Sequence, residues 1–228
     1  MQGMGTGQGF WTLLSSDERD ALRNLGLSRD YPVGAPLCHE GDLATNVFIL
    51  LAGWVKILST TKDGYEIVLA LRGDGDIVGE VAETTGHRNA TIRAIGKVRA
   101  LIVQYDKFYS FLDVNLEAGH AYRRVVTHRW NNADAILRIR AVTTGGQRLA
   151  ALLLDLAERH GDVVNGVSNL AIPLSQEELA SLAGTSRATV TRAFDNWRKR
   201  GLIRTRQHWF AIIDPEGLRR VAGPAALA

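Results

Sequence analysis

Seven cations stand within twenty residues of this chain, Arg187, Arg192, Arg198, Lys199, Arg200, Arg204 and Arg206, with Asp195 the one acid among them. Charge of one sign at this density is the electrostatic footprint of a surface for phosphates. It is also confined. Residues 1–140 carry 16 Lys and Arg against 16 Asp and Glu, while residues 141–228 carry 11 against 8, so the formal charge of +3 resides in the last third. Other chemistries find no constellation. The six histidines, His39, His87, His120, His128, His160 and His208, form no H-x-H or H-E-x-x-H set, so no metal-dependent enzyme is expected. Cys38 is the single cysteine, which excludes an internal disulfide and a thiolate cage and fits a reducing, cytoplasmic address. Asp17, Glu18 and Asp20 have no partner base or nucleophile and read as a solvated helix face.

The elements that must carry the basic run are legible in Leu174 to Ile203, LSQEELASLAGTSRATVTRAFDNWRKRGLI. Ser175 is followed three residues later by Glu178, a capping box that starts a helix at Gln176. Ala180 is small enough for a close helix crossing, Gly184 suits a left-handed turn, and Ser186 can cap a second helix. Val190, Ala193, Phe194 and Trp197 form the apolar side of that helix, and Arg187, Thr189, Thr191 and Arg192 lie on the other near its start. A helix-turn-helix places such residues at base edges. Leu202 to Arg206 and Trp209 to Ile213 alternate as a hairpin, a wing whose Arg204 and Arg206 would reach backbone phosphate.

Upstream, from Tyr31 to Val103, short apolar runs such as VFILL and EIVLAL are punctuated by glycines, the pattern of an antiparallel sandwich or jelly roll. A proline-free stretch from about Asp106 to Arg140 predicts a long helix. Its apolar positions Leu112, Leu116, Val126, Trp130, Ala133 and Leu137 suit either a dimer seam or packing on its own domain. The expected fold class is therefore α+β, with an N-terminal antiparallel β jelly roll, a long dimerisation helix and a C-terminal winged helix-turn-helix. Its divisions are a mobile arm over 1–14, a sandwich domain over 15–110, a helix over 111–141, a hinge over 142–147 and a DNA-binding domain over 148–228. The longest apolar run, Val47 to Val55, is too short for a membrane helix, and no membrane association is expected.

This order of elements, with SQEELASLAGTSRATVTR at its C-terminal end, resembles the cyclic-AMP receptor protein/FNR (Crp/Fnr) family of bacterial transcription regulators over essentially residues 10–214. The resemblance implies a homodimer that binds a two-fold symmetric site on double-stranded DNA and contacts RNA polymerase. It puts Arg187 and Arg192 on the base-reading arginines and Ser186 on a phosphate contact. Gln176, Thr189, Thr191, Lys199 and Arg204 are the further candidate DNA-facing residues. Ala188 stands where the family has a glutamate that accepts from cytosine, so one base step should be read differently.

A second resemblance, to the phosphate-binding cassette of cyclic-nucleotide domains, lies in Ile77 to Ala94, IVGEVAETTGHRNATIRA. It implies that Arg88 meets the phosphodiester, Glu80 the ribose 2′-hydroxyl and Gly79 the close backbone approach. The sequence departs from that pattern at three places. The interval from Gly79-Glu80 to Arg88 is two residues shorter than in the best-known cyclic-AMP sensor, Asn89 replaces the serine after the arginine, and Ala133 and Asp134 replace the adenine-facing threonine and serine. Asn131 and Asn132 are the alternatives if the register slips. The effector is therefore cyclic AMP, another cyclic nucleotide or another small molecule. The remaining alternative is a vestigial cassette in which Glu80 and Arg88 pair with each other. Neither Cys38-His39 nor His87 identifies a haem ligand, and no metal or haem is expected. A nucleotide-binding module acting on a protein partner is the competing class, but it has no need of arginines at the head of a helix.

Overall fold

In the computed structural model, residues 9–80, 86–164, 167–170, 174–206 and 209–224 are described, the side chains of 131–142, 159–160 and 162–164 excepted. The chain divides into two compact units, 8–129 and 130–228. The first opens with α1 (Phe10–Leu13) and α2 (Ser16–Leu25). Ser15 and Glu18 form a capping box at the start of α2, Ser15 N donating to Glu18 Oε2 at 2.8 Å and Glu18 N to Ser15 Oγ at 3.3 Å. Residues 10–14 correct the expectation of a mobile arm through residue 14. Phe10 is wholly buried, and Trp11 N donates to Gly75 O at 2.9 Å, so apolar burial anchors what the flanking glycines suggested was loose. Residues 1–8 of the expected arm lie outside the described residues.

Eight strands follow: β1 (Leu27–Tyr31), β2 (Pro36–Cys38), β3 (Asn46–Ala52), β4 (Val55–Thr60), β5 (Glu66–Arg72), β6 (Ile77–Val78), β7 (Thr91–Ala94) and β8 (Val98–Gln104). They form two antiparallel four-stranded sheets, ordered β1-β8-β3-β6 and β2-β7-β4-β5, which is the expected sandwich. The unbroken run VFILL in β3 is explained by burial on both faces. Phe48 and Leu50 pack with Val55, Ile92, Ala94 and Val98, while Val47 and Ile49 pack beneath Phe10, Leu22, Phe108 and Phe111.

The single long helix expected from Asp106 is two helices, α3 (Tyr105–Val114) and α4 (Leu116–Val142). They part at Asn115, whose φ of −111° and ψ of 85° leave the helical region and whose Nδ2 donates to Phe111 O at 2.9 Å. Gly119 permits the close approach that follows, since a Cβ there would lie 3.1 Å from Leu112 O. The expected seam divides accordingly. Leu112 belongs to the core, Val125 rather than Val126 is buried against the sandwich, and Leu116 and Trp130 are 69% and 74% exposed. Side chains of Ala133 and Leu137 lie outside the described residues.

The second unit contains α5 (Gly145–His160), β9 (Asp162–Val164), β10 (Val167–Leu170), α6 (Gln176–Leu182), α7 (Arg187–Lys199), β11 (Ile203–Arg206), β12 (Trp209–Ile212) and α8 (Pro215–Ala222). Its core includes Leu149, Leu153, Leu170, Val190, Phe194, Trp197 and Leu218. The wing is wider than expected, since β11 and β12 extend through β10 to β9 in one antiparallel sheet. Only Thr143 and Thr144 of the expected 142–147 hinge lie outside helices, because Thr144 and Gln147 form a capping box that starts α5 at Gly145. α8 was not expected either. Asp214 caps it, accepting from Gly217 N at 2.8 Å, with Pro215 in its first turn.

Candidate nucleic-acid interface and ligand cassette

The capping box that starts α6 is present, Ser175 N donating to Glu178 Oε2 at 2.7 Å and Glu178 N to Ser175 Oγ at 3.2 Å. Gly184 turns the chain at φ +58°, and Ser186 Oγ then accepts from Thr189 N at 3.2 Å to begin α7. Burial of Val190, Phe194 and Trp197 fixes the rotation of α7 and leaves Arg187, Ala188, Thr191 and Arg192 exposed. These four are spaced i, i+1, i+4 and i+5, one face of a helix, and line a shallow cleft of about 440 Å³. Gln176 joins them, its Oε1 accepting from Thr191 Oγ1 at 2.7 Å. Arg187 is held at the surface by Glu177, at 3.0 Å. Lys199 and Arg204 are exposed on α7 and β11. Arg198, counted with the basic run, is engaged within the unit. It pairs with Asp195 and donates to Thr205 Oγ1 at 2.7 Å. Arg206 lies over the Trp209 ring, 5.7 Å from its centroid. The result is an exposed polar face on α7 with Arg187 and Arg192 at its head.

The cassette brings Gly79 and Arg88 into contact. Gly79 has φ +84°, and a Cβ there would stand 2.5 Å from Arg88 Nη1, so a side chain would be strained and would have to displace the guanidinium. Arg88 is 4% exposed. Its Nη1 donates to Gly79 O at 2.9 Å and to Tyr105 Oη at 3.2 Å, and its Nη2 to Asn46 O at 2.8 Å and Asn46 Oδ1 at 3.0 Å. The guanidinium also lies over Phe48, 5.1 Å from the ring centroid, and its Nε is buried without a partner among the described residues. Asn89 is exposed. The pairing of Glu80 with Arg88, expected for a vestigial cassette, is not what forms. Glu80 Oε1 accepts from Arg129 Nη1 at 2.5 Å, while Arg129 also donates to Ile77 O at 2.8 Å and Asp76 Oδ1 at 3.1 Å. Both Nη atoms of Arg88 are already taken by Gly79 O, Tyr105 Oη and Asn46, whereas Arg129 offers Nη1 to Glu80 and Nη2 to Asp76. Asn132, Ala133 and Asp134, with the alternative Asn131, lie outside the described side chains.

Sequence reading missed Arg129, Asp76, Asn46 and Tyr105. No spacing signal connects them. Arg129 is 49 positions from Glu80, and Asn46 is 42 from Arg88. In kind, the residues suit a cyclic nucleotide: a cation for the phosphodiester, an acidic acceptor nearby, a buried Nε–H on that cation with no partner among the described residues, and a glycine that admits close approach.

A family model described as cyclic nucleotide-binding domain matches residues 28–115, and one described as Crp-like helix-turn-helix domain matches residues 147–221. The chain is 32% identical over 194 residues to a CRP-like cAMP-activated global transcriptional regulator of Mycobacterium tuberculosis, covering 85% of this chain and 87% of that protein. It is 28% identical over 192 residues to the cyclic AMP receptor protein of Thermus thermophilus, covering 84% and 86%. Among solved structures, FixK2 from Bradyrhizobium japonicum shares the fold, with a TM-score of 0.76 at 18% identity over 87% of this chain and 98% of that one.

Proposed function

Since the chain belongs to the Crp/Fnr family of transcription regulators, with a Crp-like helix-turn-helix and a cyclic nucleotide-binding domain, we propose that it works as a cytoplasmic homodimer whose α7 helices read a two-fold symmetric operator. The observation that carries this reading is the exposed face of Arg187, Ala188, Thr191 and Arg192, opposite the buried Val190, Phe194 and Trp197. Two such helices enter successive major grooves about 34 Å apart, one helical turn of DNA. Arg187 and Arg192 make bidentate contacts to guanines, and Ala188 offers only an apolar contact, so its base step differs from the glutamate-read one. Thr189 and Thr191 lie with them toward the base edges, and Ser186, Gln176, Lys199 and Arg204 set register on the phosphates. RNA polymerase is the further partner, and the chain catalyses no reaction.

Regulation falls to a cyclic nucleotide, cyclic AMP first, whose phosphodiester engages Arg88 and Asn89 and whose 2′-hydroxyl engages Glu80. Arg88 and Glu80 are already hydrogen-bonded within the protein, so the ligand replaces or shares those bonds, and its effect on DNA binding is bounded by its differential affinity for the two states. Asn132, Ala133 and Asp134 remain the proposed base-facing positions.

The test is a selection of operator from random DNA by the purified protein with and without cyclic AMP and cyclic GMP, followed by titration of Arg192→Ala. Loss of about tenfold or more on the selected site with little change on random DNA supports base reading. Equal losses on both would reduce Arg192 to a phosphate contact. Lys199→Ala should instead lower the salt slope by about 1 on every sequence.

A further inference from the structure

The guanidinium of Arg148, in the first turn of α5, is engaged on three sides by backbone. Nη1 donates to Thr143 O at 2.5 Å, Nε to Ala183 O at 2.8 Å and Nη2 to Gly184 O at 2.7 Å. Thr143 precedes α5, whereas Ala183 and Gly184 are the end of α6 and the turn into α7. The carbonyls at a helix C-terminus have no partner inside the helix and carry its negative pole, so a cation there satisfies both. A second contact joins the same two places. A Cβ on Gly145 would fall 2.1 Å from Thr185 Oγ1 and 2.7 Å from Thr185 Cβ, so the start of α5 lies against the turn at a distance only glycine allows. Thr144 and Gln147 then close the first turn of α5, with Thr144 N donating to Gln147 Oε1 at 2.8 Å.

We infer that Arg148 is a positioning residue for DNA reading: it makes Thr143, the first turn of α5 and the Ala183–Gly184 turn one rigid body that sets the attitude of α7. This inference rests on the proposed reading of DNA by α7. Ser186, the cap of α7, is two residues beyond Gly184, so play in the turn passes directly to Arg187. Any reorientation of α7 relative to the first unit is consequently made before Thr143. Thr143 to Gln147 of the expected 142–147 hinge thereby move with the Ala183–Gly184 turn instead of swinging against it.

The experiment compares the full-length protein with Arg148→Ala and Arg148→Lys by amide hydrogen exchange and by operator and random-DNA titration. The relevant amides include Gln147, which donates to Thr144 Oγ1, and Gly184 and Thr185, which donate to Ser181 O and Ala180 O. In Arg148→Ala, exchange should quicken about tenfold in both 143–150 and 181–189, as expected for loss of charge-assisted bonds, while 98–104 in the first unit is unchanged. Operator affinity should fall about tenfold and random-DNA affinity less than twofold, with Arg148→Lys between wild type and alanine on both measures. Should Arg148→Ala fail to fold, Arg148→Lys carries the same comparison. Unchanged exchange at 181–189, or equal loss on operator and random DNA, would overturn the inference. If the wild type selects no operator, the exchange result still decides whether Arg148 couples the two segments, and the failure falls on the DNA reading alone.

Discussion

Arg129, near the middle of α4, reaches into the sandwich to place Nη1 2.5 Å from Glu80 Oε1, so the carboxylate proposed for the ribose is already bound to a helix that runs out of the first unit. The same guanidinium holds Asp76 and the Ile77 carbonyl, and both carboxylates are largely shielded from water. Under the proposed ribose contact, a ligand at Glu80 would therefore compete directly for Arg129 of α4.

Replacing Arg129 by methionine should strand two shielded carboxylates. A loss of about 3–5 kcal/mol is expected in urea unfolding of the first unit, the scale for breaking a buried pair by removing one partner. Adding Glu80→Gln should recover part of it. A double-mutant cycle with no coupling between the two sites would show that Arg129 is held by Asp76 and the Ile77 carbonyl alone.

Gly79→Ala should cost more than Gly64→Ala, although both glycines have positive φ, +84° and +80°. At Gly64 nothing lies within 4 Å of the added methyl, leaving backbone strain of about 1 kcal/mol, whereas at Gly79 the methyl stands 2.5 Å from Arg88 Nη1 and must displace it. Thermal unfolding of the two variants gives the order directly.

Glu177→Gln should leave stability within about 0.5 kcal/mol, since the pair it forms with Arg187 is exposed on both sides. It should tighten DNA binding severalfold at low salt by removing an anion from the phosphate-facing surface and releasing Arg187. Anisotropy titrations at two salt concentrations would check this, and weaker binding at low salt would mean that Glu177 orients Arg187 productively.

Cys38 should resist alkylation in the folded protein and react fully in denaturant. Its side chain is buried, and burial pushes the thiol above its ordinary pKa, with the Arg88 charge only partly opposing, so thiolate is scarce at neutral pH. Rapid labelling without denaturant would show that the edge formed by β2 opens on its own.

Glu66 and Arg93 join β5 to β7 across β4 by two bonds of 2.7 Å, and the Arg93 hydrogen bond holds the Glu66 carboxyl below its ordinary value. A carboxylate lowered on folding stabilises the native state above its unfolded pKa of about 4.3, and that contribution disappears as pH falls through the lower folded value. Glu66→Gln should therefore show a shallower loss of stability than wild type between about pH 5 and pH 3. Parallel acid denaturation profiles for the two proteins would remove Glu66 from the account.

What the sequence determined by itself was whatever depends on local chemistry. Ser175 with Glu178, Gly184 and Ser186 placed the helix-turn-helix because caps and turns are decided by neighbours within four residues. The apolar stripe Val190, Phe194 and Trp197 likewise told which face of α7 is left for solvent. The division of the predicted long helix at Asn115 was decided by packing, with α4 turned back close against Leu112, where a Cβ on Gly119 would be tight at 3.1 Å from Leu112 O. The partners of the cassette were also a matter of tertiary structure alone. Arg88 and Glu80 are eight positions apart and chemically complementary, yet folding places Asn46, Gly79 and Tyr105 around the one and brings Arg129 to the other. Which of several nearby charges meet is settled by long-range strand and helix placement, because a charge-assisted hydrogen bond forms only at contact distance and the apolar core decides which groups reach it.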